Sequence, residues 1–396
     1  MRGKKNLGNI HVLDFDTLLQ ANLREKDRAK ILILKFIQET GYASRKMVVE
    51  NLSMRPSTVS KSIVEMLEDG IIVELQTKAN SGRGRPEWLL KLEKDRFWVV
   101  SFSIMSVSLI ATIVNLAGDI VDEIVVKPDK NLDAKAMAKI FNGLITEFQQ
   151  KAPVGTTLLG YGFAVPGLID KQAELWRMVS RFPRVRNLRF EQVMGYQEGN
   201  VFFERNIDAI LNHCLVSDPS SRVGISLLLH WGYGIAISCA VNGTLIQSVG
   251  GLFGEIGHWT STVEKETTET LESMAAVPKY MNMYHWNEML DESAIQRSVD
   301  DGFVSDSDLE QITSVIIRVL RNLHLAYFPS TIYLLSPFVN QARANEISRQ
   351  LEILLEPFEV HAPHVLVLEY SAHSESLGMA NTVFTRTIQP HLIARW

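Results

Sequence analysis

Residues 250–258 constrain this chain more than any other stretch, because four of the nine are glycine. Glycine adopts positive φ and allows a backbone to approach a ligand closely, at an entropic cost that a plain connector has no need to bear. The stretch also carries Glu255 and His258. A carboxylate and an imidazole together supply the acceptors and the donor that hold adjacent hydroxyl groups. We therefore predict a ligand-binding loop, the alternative being a turn with a hydrogen-bonded histidine.

The length of 396 residues predicts roughly two to three domains. With 46% hydrophobic and 21% charged residues, the composition is typical of a soluble globular protein. No apolar run reaches the ~18 residues of a membrane helix, and the basic start lacks the apolar core of a signal peptide. We expect a cytoplasmic protein with no membrane partner. Cys214 and Cys239 form neither a disulfide framework nor a metal cluster on their own, and we assign both to the core.

The charge is unevenly distributed along the chain. Residues 1–92 hold 16 Lys and Arg against 11 Asp and Glu, whereas the whole chain holds 40 against 45. We call residues 1–92 the head and the remainder the body. A basic head on an acidic body predicts that the head binds a polyanion.

Three helices are predicted in this basic head. Apolar residues recur at helical spacing over 24–38. Ser44 is placed to N-cap a second helix over 45–52, and Pro56 suits the first turn of a third. A tight connection between the second and third helices is typical of a helix-turn-helix.

A glycine-rich segment with two arginines follows, between predicted strands at 71–75 and 88–92. This order indicates a winged helix-turn-helix, whose wing suits a narrow minor groove while the third helix reaches phosphates and major-groove base edges. For the charges alone, the alternative is a solvated face. The predicted DNA contacts are Arg55, Ser57, Thr58, Ser60, Lys61, Arg83 and Arg85.

The body begins with alternating segments that predict strands over 97–116 and 120–126. A helical pattern over 134–150 and an apolar strand over 158–165 follow. Strands followed by a helix and another strand indicate an α/β layered domain.

Five stretches of the chain resemble the ROK family (repressors, open reading frames, kinases), in its repressor branch with an N-terminal winged helix-turn-helix. They are 82–86, 165–170, 232–236, 242–243 and 254–258. The resemblance implies an α/β fold of the actin-like ATPase (ribonuclease H-like) type, with two lobes around a cleft that holds a sugar and, in the kinases, ATP. We expect a winged helix-turn-helix over 1–94, a first lobe over 95–210 and a second lobe over 211–396, with the C-terminal helix returning to the first lobe.

The parts that a ROK kinase needs are missing from the matching positions. The family's Asp-x-Gly-Gly-Thr hairpin corresponds to 103–108, which lacks the Asp and both glycines and places bulky Met105 there. Asn206 stands at the position of the catalytic base, and a neutral amide cannot accept the proton. Asp208, two residues away, is expected to point elsewhere. A double glycine is replaced by Ser-Pro at 336–337. We predict no catalytic residue, no cofactor and no enzyme activity.

The resemblance assigns sugar contacts to Glu255, His258 and Glu272, and no zinc site, because 259–270 holds no cysteine. Arg205 replaces a sugar-binding Asn of the kinases, and Arg181 lies near another contact position. Guanidinium groups suit carboxylates and phosphates, which favours an anionic effector. The alternative is that the arginines pair with Glu174, Glu204 or Asp170. The full predicted effector set is Glu255, His258, Glu272, Asn206, Arg205, Gly167 and Arg181.

These features predict a transcriptional repressor of carbohydrate metabolism genes. Its partners are a double-stranded DNA operator, a sugar or sugar phosphate effector, and a second copy in a homodimer or a tetramer. One alternative is a bifunctional ATP-dependent sugar kinase with a DNA-binding head. Another is a regulator controlled by a partner protein.

Overall fold

The computed structural model describes residues 13–76, 88–105, 108–179, 181–195, 199–248, 251–263, 268–286, 290–371 and 373–392. The predicted wing contacts Arg83 and Arg85 lie outside the described residues, as does the side chain of Met105. Within the described ranges, no helix is long and apolar enough to span a membrane.

The head, described over 13–76 and 88–92, consists of helices and a small antiparallel sheet in the order of a winged helix-turn-helix. Gly41 ends the second helix at φ +75°, where a left-handed backbone favours glycine. The sheet has the order β1-β3-β2. The elements are α1 (Phe15–Gln20), α2 (Glu25–Thr40), β1 (Ala43–Ser44), α3 (Arg45–Leu52), α4 (Pro56–Glu68), β2 (Ile72–Gln76) and β3 (Trp88–Leu92).

The first lobe is built on a five-stranded sheet of order β11-β7-β4-β5-β6. Strands β11, β7 and β4 are parallel, while β5 and β6 form an antiparallel meander. The elements are β4 (Phe97–Met105), β5 (Ser108–Asn115), β6 (Ile120–Val126), α5 (Ala134–Lys151), β7 (Thr157–Val165), β8 (Leu168–Asp170), β9 (Leu175–Met178), β10 (Arg186–Arg189), α6 (Phe190–Met194), β11 (Val201–Arg205) and α7 (Asn206–Ser217).

The second lobe repeats this plan with a sheet of order β14-β13-β12-β17-β18. The elements are β12 (Ile225–Trp231), β13 (Ile235–Val241), β14 (Thr244–Leu245), β15 (Thr260–Val263), β16 (Thr268–Thr270), α8 (Leu271–Ala275), α9 (Val277–Met283), α10 (Glu292–Asp300), α11 (Asp306–Tyr327), β17 (Thr331–Leu335), α12 (Gln341–Leu355), β18 (His364–Val367), α13 (Ser374–Thr387) and α14 (Gln389–Leu392). Two mixed sheets with covering helices confirm the predicted α/β class.

Helix α13 crosses back from the second lobe and packs on β4, β7 and α7. Glycines make this close packing possible, because a Cβ on Gly162 would lie 2.5 Å from a side-chain atom of Met379. The apolar core beneath α13 is continuous with that of the head, so that Ile31 and Ile63 belong to the same buried cluster as Val383. Head and body therefore share one core.

Candidate functional site

The described part of the glycine-rich loop, 251–258, lies between the two lobes. Gly251 and Gly254 both have positive φ. A Cβ on Gly251 would lie 2.1 Å from the Ile169 carbonyl oxygen in the first lobe, and one on Gly254 equally close to that of Ile237 in the second. The loop thus needs glycine at two points where it touches opposite walls of the cleft.

Glu255, His258 and Glu272 form an acidic cluster on this loop and the first turn of α8. Burial raises the pKa of Glu255, although Arg205 and His258 pull it downward. Burial also raises the pKa of Glu272, against the effect of His258. His258 itself is exposed. Two partly desolvated carboxyls beside an accessible imidazole offer several hydrogen-bonding groups to a polyhydroxyl ligand.

Because Gly257 has no side chain, it leaves room for the Glu272 carboxylate in this cluster. A Cβ at that position would lie 2.9 Å from Glu272 Oε2 and 2.7 Å from the Ile235 carbonyl oxygen. The two acids, Glu255 and Glu272, are close enough that the charge of one raises the pKa of the other. The structure thereby brings together three of the predicted effector residues, Glu255, His258 and Glu272.

Arg205 ends β11 and is buried, with 6% of its surface exposed. Its Nε and Nη2 donate to the two oxygens of Asp208 at 3.0 and 2.8 Å, and Nη2 also donates to the Ile237 carbonyl at 3.3 Å. Its Nη1 donates to the Phe253 carbonyl at 2.6 Å and to Glu255 Oε1 at 3.4 Å. All five N–H groups of the guanidinium therefore have protein acceptors.

The acids that hold Arg205 differ from those predicted. Although burial disfavours its charge, Asp208 and then Glu255 raise the pKa of Arg205. The prediction that named other acids is wrong for this residue, because Asp170 instead binds Arg177, and Glu204 binds two other basic residues. Asp208 lies three residues along the start of α7, so its carboxylate meets Arg205 side-on in a bidentate pair.

Arg181 reaches from the first lobe to the loop 232–234 of the second. Its guanidinium lies 3.4 Å from the centre of the Tyr233 ring. Burial lowers the pKa of Arg181, and the charge of Glu292 opposes that effect. The contact joins the two lobes.

Glu292 fills the space beside the same loop. Its Oε1 accepts a hydrogen bond from the Tyr233 backbone N–H at 2.9 Å and lies 3.3 Å from His230 Nε2. A Cβ on Gly232 would lie 2.1 Å from that oxygen. Although burial favours the neutral acid, His230 and Arg181 lower the pKa of Glu292. A carboxylate of the protein thus fills the space beside the 232–234 loop.

Asn206, at the start of α7, donates to Glu375 Oε1 at 3.3 Å. Glu375 is 5% exposed, and its other oxygen has no hydrogen-bond partner among the described residues. Burial raises the pKa of Glu375 to about 8. This acid was missed by the sequence analysis, since it lies 169 residues from Asn206 and no local pattern distinguishes it.

Gly167 lies in the turn between β7 and β8 with φ +83°. A Cβ there would lie 2.2 Å from the Met178 carbonyl oxygen. The glycine therefore permits a close backbone crossing beside the cleft. A small pocket that is open to solvent lies nearby, lined by Ile169, Lys171, Arg205, Asp208, Gln247, Ser248, Gly251 and Phe253.

The start of α4 presents the remaining predicted contacts on the head. Arg55, Ser57, Ser60 and Lys61 are exposed, and Thr58 is partly exposed. The opposite face of the helix buries Val59, Ile63 and Met66 in the head. An exposed helix N-terminus with two basic side chains is suited to phosphate contact.

No family model matches the chain. The xylose repressor of Caldicellulosiruptor bescii is 22% identical over 296 residues, which are 72% of this chain and 71% of that protein. The xylose repressor of Bacillus subtilis is 26% identical over 246 residues, which are 58% of this chain and 59% of its own length.

Solved structures share the fold. A ROK family transcriptional regulator, described as a homologue of the E. coli Mlc protein, superposes with a TM-score of 0.68 at 16% identity, over 95% of this chain and 97% of its own. A ROK family glucokinase from Streptomyces griseus, solved with glucose and AMPPNP, has a TM-score of 0.57 at 13% identity, over 72% and 98%. The regulator therefore superposes on a larger part of this chain than the kinase does.

Proposed function

We propose that this chain is a member of the ROK family and acts as a sugar-responsive transcriptional repressor of carbohydrate metabolism genes. The observation that carries the proposal is the cluster of Glu255, Glu272 and His258 between the lobes of a body that shares its core with a DNA-binding type of head. The sequence relatives named xylose repressors support the same function.

The effector is a neutral sugar. The two arginines that suggested an anion are already engaged, because Arg205 uses its five N–H groups on protein acceptors and Arg181 stacks on Tyr233 near Glu292. The accessible groups of the cluster include two acids, which repel an anion. Since two relatives are named for xylose, D-xylose is the first sugar to test.

Loss of kinase chemistry is supported at two points. Asn206, at the position of the catalytic base, is a neutral amide that cannot take a proton from a sugar hydroxyl, and its N–H donates to Glu375. The 232–234 loop resembles the remnant of a kinase phosphate loop, and its Tyr233 N–H donates to Glu292, so a nucleotide phosphate there would have to displace a buried carboxylate.

Glu375 also provides the test of the kinase alternative. A carboxyl with a pKa of about 8 next to Asn206 is a potential base in place of the missing one. We expect no ATP-dependent phosphorylation of sugar in a coupled assay. Turnover that disappears in Glu375→Gln would establish the kinase instead.

In this proposal the domain over residues 1–94, which includes the head, binds DNA, and residues 95–210 and 211–396 form the two lobes. The protein acts as a homodimer or tetramer in the cytoplasm. If α4 contacts phosphates, Arg55→Ala with Lys61→Ala reduces the slope of log affinity against log salt on duplex DNA by about two. Lys139→Ala, on exposed α5 of the body, is the matched control. An unchanged slope would exclude α4 as the contact.

The effector is tested by thermal unfolding with D-xylose, D-glucose, glucose 6-phosphate and gluconate. A neutral sugar at 100 times its Kd stabilises the native state by about 2.7 kcal/mol. The stabilisation should vanish in Glu255→Ala and persist in Glu191→Ala, which removes an exposed acid from α6. Binding of the anions alone would reverse the assigned charge class, and binding of none of the four would favour control by a partner protein.

A further inference from the structure

Helices α7 and α13 lie side by side and run in the same direction, from the cleft toward the head. Three contacts along them have the same sequence offset of 169 residues. A constant offset means that the helices are parallel and in fixed register. The contacting pairs are Asn206 with Glu375, Ala209 with Gly378, and Asn212 with Asn381.

The two helices touch at the backbone. A Cβ on Gly378 would lie 1.8 Å from the Ala209 carbonyl oxygen, so only glycine permits this approach. Asn212 donates to the Gly378 carbonyl at 3.2 Å and to Asn381 at 2.8 Å. Backbone contact and side-chain hydrogen bonds in one register make the pair move as a unit, because packed interfaces do not deform continuously.

At the cleft, the pair begins at residues that hold the binding loop. Arg205 immediately precedes α7 and binds the Phe253 carbonyl and Glu255. Asn206 is the first residue of α7 and binds Glu375 at the start of α13. Any ligand that moves the loop therefore acts directly on the first turns of both helices.

At the opposite end, Arg222 connects α7 to the head. Its Nε donates to the Leu215 carbonyl in the last turn of α7 at 2.8 Å, and its Nη1 donates to Asp14 Oδ1 at 2.6 Å and lies 3.5 Å from Asp16 Oδ2. Arg222 and Asp14 are both largely buried, with side chains 15% and 10% exposed. Although burial opposes it, Arg222 lowers the pKa of Asp14.

The connection continues through α1 to helix α2 of the head. Asp14 accepts from the Thr17 backbone N–H and caps α1. Asp16 forms an ion pair with Lys35 of α2. Helix α13 contacts α1, and the short α14 contacts α2. The far ends of both long helices thus meet the same corner of the head.

We infer that the α7/α13 pair transmits the occupancy of the cleft to the head, with Arg222 and Asp14 as the connection between α7 and α1. This inference rests on the proposed function and specifies how the cleft regulates the head. A helix of 12 residues is about 18 Å long, so α7 spans the distance as one rigid element. Arg222 is a positioning residue in this scheme and touches neither sugar nor DNA.

The test is amide hydrogen exchange of the full chain, with the cleft end perturbed by Asn206→Ala. In the native background, we expect exchange in α1 to change by about fivefold or more, the lower end of typical coupling between sites. In the Arg222→Gln background, Asn206→Ala should leave α1 unaffected. Arg177→Gln, which breaks an ion pair within the first lobe, is the control background and should preserve the response.

An α1 exchange rate that ignores Asn206→Ala, or that responds equally in all three backgrounds, would overturn the inference. If Arg222→Gln does not fold, Asp14→Asn removes the same connection from the head side. If Asn206→Ala does not fold, Asn206→Ser removes the same contact with Glu375.

Repeating the measurement with D-xylose in place of Asn206→Ala separates the two proposals. A native protein that binds no D-xylose counts against this sugar as the effector, while the mutational comparison still decides the connection.

Discussion

The second lobe carries two glycine loops that differ in what fills the space beside them. Loop 251–258 leaves His258 exposed and places two acids next to it. Loop 232–234 is closed by side chains of the protein, since Glu292 takes a backbone N–H and Arg181 covers Tyr233. Both loops use glycine for close approach. The first loop, 251–258, is open to solvent at His258, and we call it the open loop. The second loop, 232–234, is covered by side chains that stabilise the fold, and we call it the closed loop.

Removal of Glu292 should have the largest effect on this contrast. Glu292→Ala leaves Arg181 without its buried counter-charge and the Tyr233 N–H without its acceptor, which should lower the free energy of unfolding by about 3–5 kcal/mol. Glu255→Ala should cost about 1 kcal/mol or less, because its hydrogen bond to Arg205 is long and the side chain is partly exposed. Urea unfolding measures both, and equal losses would remove the distinction between the loops.

The pH dependence of the free energy of unfolding should report on a second buried acid, Glu375, which lies close enough to Glu292 for its charge to raise the pKa of Glu375. Burial raises the pKa of Glu375 to about 8, from a usual value of 4.5. The folded protein keeps this proton at pH values where the unfolded chain has released it. Stability should therefore fall as pH rises from 4.5 to about 8, by up to about 1.4 kcal/mol per pH unit.

Glu375→Gln should remove this slope, because the amide keeps the shape and the contact with Asn206 but does not titrate. Glu346→Gln is the matched control, since an arginine on the next helical turn lowers the pKa of that exposed acid to about 2, and it does not titrate in this window. Denaturation midpoints at pH 5, 6, 7 and 8 give the comparison. A slope that survives in Glu375→Gln would assign the titration to another group.

The open loop was predictable from sequence, and the closed one was not. Glu255 and His258 lie within one short motif, and Glu272 follows in a segment that the family resemblance identifies, so local pattern was sufficient. Glu292 lies 59 residues from its partner Tyr233. Contacts of that kind depend on how distant segments pack within the second lobe, which no local spacing records.

The helices, strands and side-chain contacts show the same contrast between features that local sequence predicts and features that it does not. Helix 45–52 was predicted at its observed bounds because Ser44 caps it, accepting from the Met47 N–H at 3.3 Å. The predicted strand at 120–126 also has its observed bounds, because its alternating pattern matches one exposed face. The partners of Arg205 were mistaken, since Asp208 was expected to point away from the site. The Asp208 carboxylate does point away from the position of a catalytic base, but it points toward Arg205 and Ser238, which both donate to it.

A methyl group added to the open loop should lower stability less than Glu292→Ala does and should have a clear effect on binding. In Gly254→Ala, the Cβ meets the Ile237 carbonyl oxygen at 2.1 Å, at a residue with φ +82°. The loop must shift, at a cost of about 1–3 kcal/mol, and Glu255 moves with it. Sugar affinity by calorimetry should fall at least about tenfold. Gly41→Ala is the matched control, because its φ of +75° imposes similar strain while its Cβ meets nothing within 4 Å. Equal sugar affinity in the two variants would mean that the loop does not position Glu255 for binding.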